Sequence, residues 1–430
     1  MKSRFAITVK WELLERGRPE ERATFGMIGL SVGENLLSEA HDAFVSTVRK
    51  EVPLSGYLLA EWLAWNWWRL RWEPRRSGLD WGMAHHMGSI GGGYVWPNVT
   101  LETDGENVFL TANATQRRAA EPLQYVSVAR QEVPAVEFEA AVNEFVELVL
   151  GRLHSKGIVN SNLSAIWTAL KSEREDSEAS RFRVLEAMLG HDPDAGDESA
   201  LGALLGDVQS LGEGAVAELA FASRPGAPIL RRDELMKFAC AGTDANLQNL
   251  AKGLHGLDES EDLSAWAVGE RAARMLRDSL GFKTERLDDK ELAGLAGVSK
   301  SVLGDQAASD PPPPFSFVFR GEGPAKLVLK SPLAVNRRFA LARLIGDKLL
   351  SKKEEGLLPA LYSRSHRQKR QRAFAAEFLC PYEEMKERLA LDFSDDNQER
   401  VATEFAVSSM VVRTQLVKKG DLEPETLESF

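Results

Sequence analysis

The sequence predicts a multi-domain α+β protein with a helical middle region. Three observations carry that expectation. The chain has 430 residues, and about 150 residues is an ordinary domain allotment. Alternating apolar runs occur near both ends, and an Ala/Leu/Glu-rich stretch of helical character separates them. Asp104-Gly105 lies between two alternating runs, VTLET and ENVFLTA, which is the pattern of a tight hairpin. The expected boundaries are 1–155 for an N-terminal α+β domain with a β-hairpin, 156–260 for a helical linker domain, and 261–430 for a C-terminal α+β domain.

Composition narrows the function classes. Hydrophobic residues are 43% and charged residues 27% of the chain, which excludes a mostly disordered or fibrous protein. The formal charge of −11 makes the whole protein a poor polyanion binder, although a local basic patch can still act. Two cysteines, Cys240 and Cys380, exclude a disulfide framework and a thiolate zinc cluster. No two histidines are spaced i, i+4, so no helix offers the commonest paired zinc ligands. Charge interrupts every apolar stretch near the N-terminus, so no signal peptide is expected. No apolar run approaches the ~20 residues of a membrane span. Few cysteines and no signal point to a reducing cytoplasm and no membrane contact.

The elements follow in order. Phe5–Leu13 and Thr24–Val32 read as strands. Ser55–Glu73 reads as a helix, and Gly91–Gly93 as a turn followed by a strand at YVWP. The Asp104-Gly105 hairpin comes next, with a further strand at Gln124–Arg130. Val136–His154 is a helix with Phe138, Val142, Phe145, Val149 and Leu153 on one stripe. Asn160 or Asn162 caps the next helix, and 191–199 is a loop by composition. The helix AWAVGERAARMLRDSLGF ends near Gly281, a suitable C-cap. Pro311–Pro314 stops the chain in an extended form. Strands FSFVFRG and AKLVLKS, a helix at 336–351, a basic helix running into AFAAEFLCP (373–381), and two short helices around Val407-Ser408 complete the chain. Ser299 and Ser408 are expected helix caps. Cys380 reads as a small buried hydrophobe.

The string AFAAEFLCP, followed by Ala402, Phe405, Val407 and Ser408, resembles the ImmA/IrrE family of metallopeptidase-like proteins. The likeness covers about 264–420. It extends to two short strands and the helix Arg337-Arg338-Phe339-Ala340-Leu341-Ala342-Arg343-Leu344-Ile345-Gly346-Asp347. The resemblance implies a zincin-like, peptidase-like C-terminal domain. It also places the family's HExxH on Arg343, Leu344, Ile345, Gly346 and Asp347, and the further acidic ligand on Gln368. That chemistry needs two imidazoles one turn apart and a carboxylate base. Arg343 is cationic and repels a metal. Leu344 accepts no proton, and Gln368 is a weak neutral ligand. The expectation is therefore a catalytically inactive pseudo-peptidase with no metal and no cofactor. A rebuilt site of Asp347, His366 and Glu377 is the competing reading.

Two further features have both a functional and a plain reading. Trp62, Trp65, Trp67, Trp68 and Trp72 crowd one segment. On one continuous helix Trp65, Trp68 and Trp72 share a stripe, an aromatic docking face for a protein or a base. Leu58, Leu59 and Leu63 in the same segment favour an internal helix instead. His85-His86 is a weak metal candidate, because adjacent side chains diverge, and Trp81–His86 is expected to pack near the surface. The stretch SRSHRQKRQR (363–372) concentrates Arg364, Arg367, Lys369, Arg370 and Arg372 without an acid. It reads as a contact for an acidic protein partner or nucleic acid, or as a solvated helix face. The family likeness implies a bacterial regulatory or scaffolding role in an anti-phage or toxin–antitoxin type system. The alternatives are a divergent zinc metallopeptidase that cleaves a repressor-like protein, and a nucleic-acid-binding regulator.

Overall fold

The computed structural model describes residues 4–115, 122–224, 227–247, 264–282 and 286–423. They form a mixed α+β protein in two compact units. The first contains residues up to 201 together with 224, and the second contains 202–223 together with residues from 227 onward. No helix among the described residues is long and apolar enough to cross a membrane.

The first unit opens with β1 (Phe5–Trp11), α1 (Pro19–Thr24), β2 (Phe25–Val32) and β3 (Asn35–Leu36). β4 (Ala40–Asp42), β5 (Thr47–Arg49) and β6 (Val52–Ser55) follow. β1 and β2 pair antiparallel from Phe5↔Val32 to Trp11↔Gly26. Gly26 is required there, since a Cβ would stand 2.4 Å from the Lys10 carbonyl oxygen. β2 also pairs with β3 and β6.

The helix expected over 55–73 is two helices, α2 (Gly56–Trp65) and α3 (Trp67–Trp72), broken at Asn66. The Asn66 side-chain amide donates to the Trp62 carbonyl at 2.9 Å, competing with the helical ladder. α4 (Leu79–His85) leads to Gly91–Gly93, which have φ of +73°, +71° and +82° and form a turn. The segment YVWP after it joins no strand.

A second sheet holds β7 (Val99–Thr103), β8 (Asn107–Ala112) and β10 (Ala129–Pro134) in the order β10-β8-β7. The hairpin at Asp104-Gly105 is present, but its turn is wider than two residues, since pairing closes at Thr103↔Val108. Only Gly105 has positive φ, at +99°. Asp104 instead accepts from the backbone N–H groups of Glu106 (3.2 Å) and Asn107 (2.9 Å). The strand expected at 124–130 is divided. β9 (Leu123–Tyr125) joins β4 and β5 in a third sheet, and β10 joins the second.

α5 (Ala135–Ser155) buries its whole expected stripe, with Phe138, Val142, Phe145, Val149 and Leu153 at the centre of the unit's core. α6 (Asn162–Glu175) is capped by Ser161, whose Oγ accepts from the Ser164 N–H at 3.2 Å, not by Asn160 or Asn162. α7 (Ser177–Met188) and the first turn of α8 (Glu198–Leu211) complete the unit.

The second unit adds α9 (Glu213–Ala222), α10 (Arg232–Cys240) and β11 (Thr243–Ala245). α11 (Ala265–Leu280) starts at the Ser264 cap and ends on Gly281 at φ +76°. α12 (Asp289–Leu295) precedes β12 (Ser316–Phe319) and β13 (Ala325–Val328). α13 (Ala334–Leu350), β14 (Leu357–Ala360) and α14 (His366–Leu379) carry the motif positions. α15 (Tyr382–Leu389), α16 (Asp395–Phe405) and α17 (Ser409–Lys419) follow. The sheet runs β11-β13-β12-β14, and every pair is antiparallel.

α14 packs between α11 and α13, and two glycines let it approach. A Cβ on Gly269 would lie 2.4 Å from the Arg370 carbonyl oxygen, and one on Gly346 would lie 2.5 Å from the Phe374 ring. Ser299 caps the turn that follows it, accepting from Ser301 N–H at 3.4 Å. Ser408 occupies the N-cap position of α17 without a capping bond from its side chain. Cys380 is fully buried among hydrophobic neighbours, and burial pushes its thiol well above the ordinary range.

Candidate functional site

Positions 343 and 347 lie one turn apart on α13, so they face the same neighbour. That neighbour is the first half of α14. Leu344 points into the core and is fully buried. Asp347 is 1% exposed. Its two carboxylate oxygens accept from Arg367 Nε at 2.8 Å and Nη2 at 2.7 Å. Arg367 Nη1 donates to Glu355 at 2.7 Å. Burial opposes the charge on Arg367, but Asp347 and Glu355 overcome it and hold the guanidinium firmly protonated.

Arg343 is held by neutral acceptors. Its Nη2 donates to the Leu361 carbonyl at 2.7 Å, to Gln368 Oε1, and to Gln371 Oε1 at 3.3 Å. Gln368 Oε1 also accepts from Leu361 N–H at 2.9 Å, and its Nε2 donates to the Pro359 carbonyl at 3.0 Å. Gln371 Nε2 reaches the same carbonyl at 3.0 Å. The two glutamines therefore stitch α14 to the end of β14. Burial, reinforced by the nearby charge of Arg372, pushes the Arg343 guanidinium down to about 9.

Glu218, from α9, enters the same cluster. Ser365 Oγ donates to its carboxylate at 2.8 Å while capping α14 by accepting from Gln368 N–H at 3.2 Å. Complete burial pushes the Glu218 carboxyl upward, against the pull of Arg367 and the Ser365 hydroxyl.

The alternative set of Asp347, His366 and Glu377 is not brought together. Asp347 is committed to Arg367. Glu377 lies ten residues beyond Arg367 on α14, about 15 Å along the axis. It accepts from Arg274 at 3.2 Å and from Tyr382 N–H at 3.2 Å. Among the described residues, no group of three or more His, Cys, Asp or Glu is placed to hold a metal ion.

The basic stretch is not one solvated face. Arg364 is exposed, whereas Lys369, Arg370 and Arg372 are half-buried and Arg367 turns inward to Asp347. The tryptophans do not form one surface either. Trp65 is 59% exposed at the end of α2, but Trp68 is buried on α3 with its Nε1 donating to Glu173 at 2.9 Å. The Arg71 guanidinium covers the Trp72 ring at 3.9 Å. The break at Asn66 rotates α3 out of the stripe expected from one continuous helix.

No protein-family model, curated protein or solved structure matches this chain.

Sequence reasoning missed a second polar cluster, in the first unit. His85 is fully buried, not near the surface, and stacks on Trp81 at 4.3 Å. Its Nδ1 lies 3.0 Å from the Leu101 carbonyl and its Nε2 lies 3.0 Å from Glu73 Oε2. The same Glu73 oxygen accepts from Arg69 at 2.7 Å. Burial pushes Glu73 up, but the bonds from His85 and Arg69 outweigh it and hold the carboxyl below its ordinary value. The available signal was the i, i+4 pair Arg69–Glu73 inside a tryptophan-rich helix, where an unpaired charge would be costly. His86 is separate and meets Asn98 at 2.9 Å.

Proposed function

We propose that this protein is a catalytically silent, ImmA/IrrE-like regulatory or scaffolding protein, whose zincin-like C-terminal frame binds a protein partner. One observation supports the reading above the others. The positions that would carry zinc chemistry make internal bonds instead, with Arg343 on two glutamines and Asp347 on Arg367. A general base or a metal ligand at 347 would first have to break a two-point buried ion pair. A role in a bacterial anti-phage or toxin–antitoxin type system rests on the family likeness alone, and a cytoplasmic location on the scarcity of cysteine.

The test is the metal content of the purified full chain by elemental analysis. The reading expects no stoichiometric zinc, in the parent or in Asp347→Ala. A stoichiometric metal that is lost in Asp347→Ala overturns it and restores the divergent metallopeptidase. Partner capture is tested by charge reversal at Arg364, which is exposed, and not at Arg367, which holds the fold together.

A further inference from the structure

β10 is the outer strand of the second sheet, so one of its sides pairs with no other described strand. The hydrogen-bond phase says which residues face that side. The Ala135 N–H donates to the Glu106 carbonyl at 2.9 Å, in the register that pairs Val133 with Val108 and Gln131 with Leu110. Antiparallel pairs alternate between bonded and non-bonded. Val133, Gln131 and Ala129 therefore bond to β8, and Arg130 and Glu132 turn their N–H and C=O groups outward. The other side of β8 agrees with this phase. Asn107, which stands opposite Pro134, spends its carbonyl on the Asp104 N–H at 3.2 Å. Arg130 and Glu132 are both exposed.

Charges on an open edge discourage pairing with most strands, but this edge is complementary to itself. A second β10 can lie antiparallel to the first about a two-fold axis through Gln131. Arg130 of each copy then stands opposite Glu132 of the other. These are the residues with outward backbone groups, so each of the two pairs exchanges two N–H···O bonds. The adjacent registers of the same backbone phase set Arg130 against Arg130 or Glu132 against Glu132, and like charges directly opposite are destabilising. The charges thus select one register. The ends of the edge fit it too. Val128 is 76% exposed and Val136 71% exposed, and this register lays the Val128 end of one copy along the Pro134–Val136 end of the other. Pro134 has no N–H, so the ladder stops there.

We propose that β10 is a self-association edge, which joins two copies of this chain through one continuous antiparallel sheet. A second copy is the occupant because it supplies the matching charge order by symmetry. The contact is one short strand from each copy, at the small end of specific interfaces, so the dimer is weak and reversible. The proposal uses only the first unit and does not rest on the peptidase-like reading.

The test is sedimentation velocity of the full chain at low ionic strength, from about 1 µM to about 300 µM. The expected result is a dimer whose fraction rises with concentration. Glu132→Arg puts like charges at both pairs and should weaken the dimer at least tenfold, and Arg130→Glu should do the same. An equimolar mixture of the two variants re-creates both opposite-charge pairs, so association should return. A parent chain that stays monomeric throughout overturns the proposal. So does an unchanged dimer in Glu132→Arg, which would place the contact elsewhere, and so does a mixture that associates no better than either variant alone. Arg130 also donates to Glu102, so Arg130→Glu can fail to fold. Glu132→Pro then replaces the mixture, because it removes an outward N–H and no bond to β8. An unchanged dimer in Glu132→Pro overturns the proposal.

Discussion

Arg367 grips both oxygens of Asp347, at 2.8 and 2.7 Å, and so ties the start of α14 to the last turns of α13. Removing one partner of such a pair leaves the other charged and buried, at about 3–5 kcal/mol. Asp347→Ala should therefore lower the denaturant midpoint of the second unit, measured by circular dichroism. Asp347→Ala combined with Arg367→Leu should cost less than the sum of the two single changes. A strictly additive double variant would show that the pair is energetically idle.

The two glutamines on α14 should not be equivalent. Gln368→Leu leaves the buried Leu361 N–H without its acceptor, while the Pro359 carbonyl and Arg343 keep Gln371. Each buried polar group left unmatched costs about 1–3 kcal/mol. Gln371→Leu removes bonds to the Pro359 carbonyl and Arg343, both of which Gln368 still serves. The expected order of loss in thermal unfolding is Gln368→Leu well above Gln371→Leu. The reverse order would contradict the hydrogen-bond assignment.

Replacing either packing glycine by alanine tests how tightly α14 is held. In an open helix, Gly→Ala stabilises by about 1 kcal/mol. At Gly269 the new methyl meets the Arg370 carbonyl, the Ala373 side chain and the Phe374 backbone nitrogen, and none of these can swing aside. At Gly346 it meets the Phe374 ring, which can shift by rotation. Both variants should lose stability, by about 1–3 kcal/mol or more, and Gly269→Ala should lose the most. A stabilised Gly269→Ala would refute the close approach.

Glu73 sets an acid response in the first unit. Its carboxyl is held below the ordinary value in the folded state, so it contributes stability above the unfolded carboxyl pKa of about 4.3. That contribution is lost as pH falls through the depressed folded value. Glu73→Gln should lower stability at pH 7 and flatten its decline with acid below about pH 4.3. Unfolding curves at several pH values check this. An equal decline in parent and variant would show that another carboxyl controls the acid limb.

Long periodic elements were legible because their residues repeat a local pattern. α5 shows this best, with all five expected stripe residues buried. The pair β12 and β13 was also legible, as two apolar runs after a proline stop. β11 and β14, which sit on either side of that pair, were not. β11 is the short, largely polar run Thr243-Asp244-Ala245, and β14 contains Pro359, so neither reads as a strand from its own residues. The site was legible only as a list of substitutions at named positions. Its bonds depend on contacts between distant segments, such as Ser365 with Glu218, 147 residues apart. No spacing rule reaches that far. The tryptophan stripe misled for a local reason, because a single asparagine at 66 ends one helix and starts the next.

The tryptophan-rich α2–α3 segment has a consequence for spectroscopy. Of the ten tryptophans in the chain, nine lie at or before Trp167 in the first unit, and Trp266 alone belongs to the second. Intrinsic emission is therefore a nearly private signal of the first unit. Far-ultraviolet dichroism reports both units together, weighted by their helices. The difference between the two curves isolates the melting of the unit that carries Arg343 and Asp347, without cutting the chain.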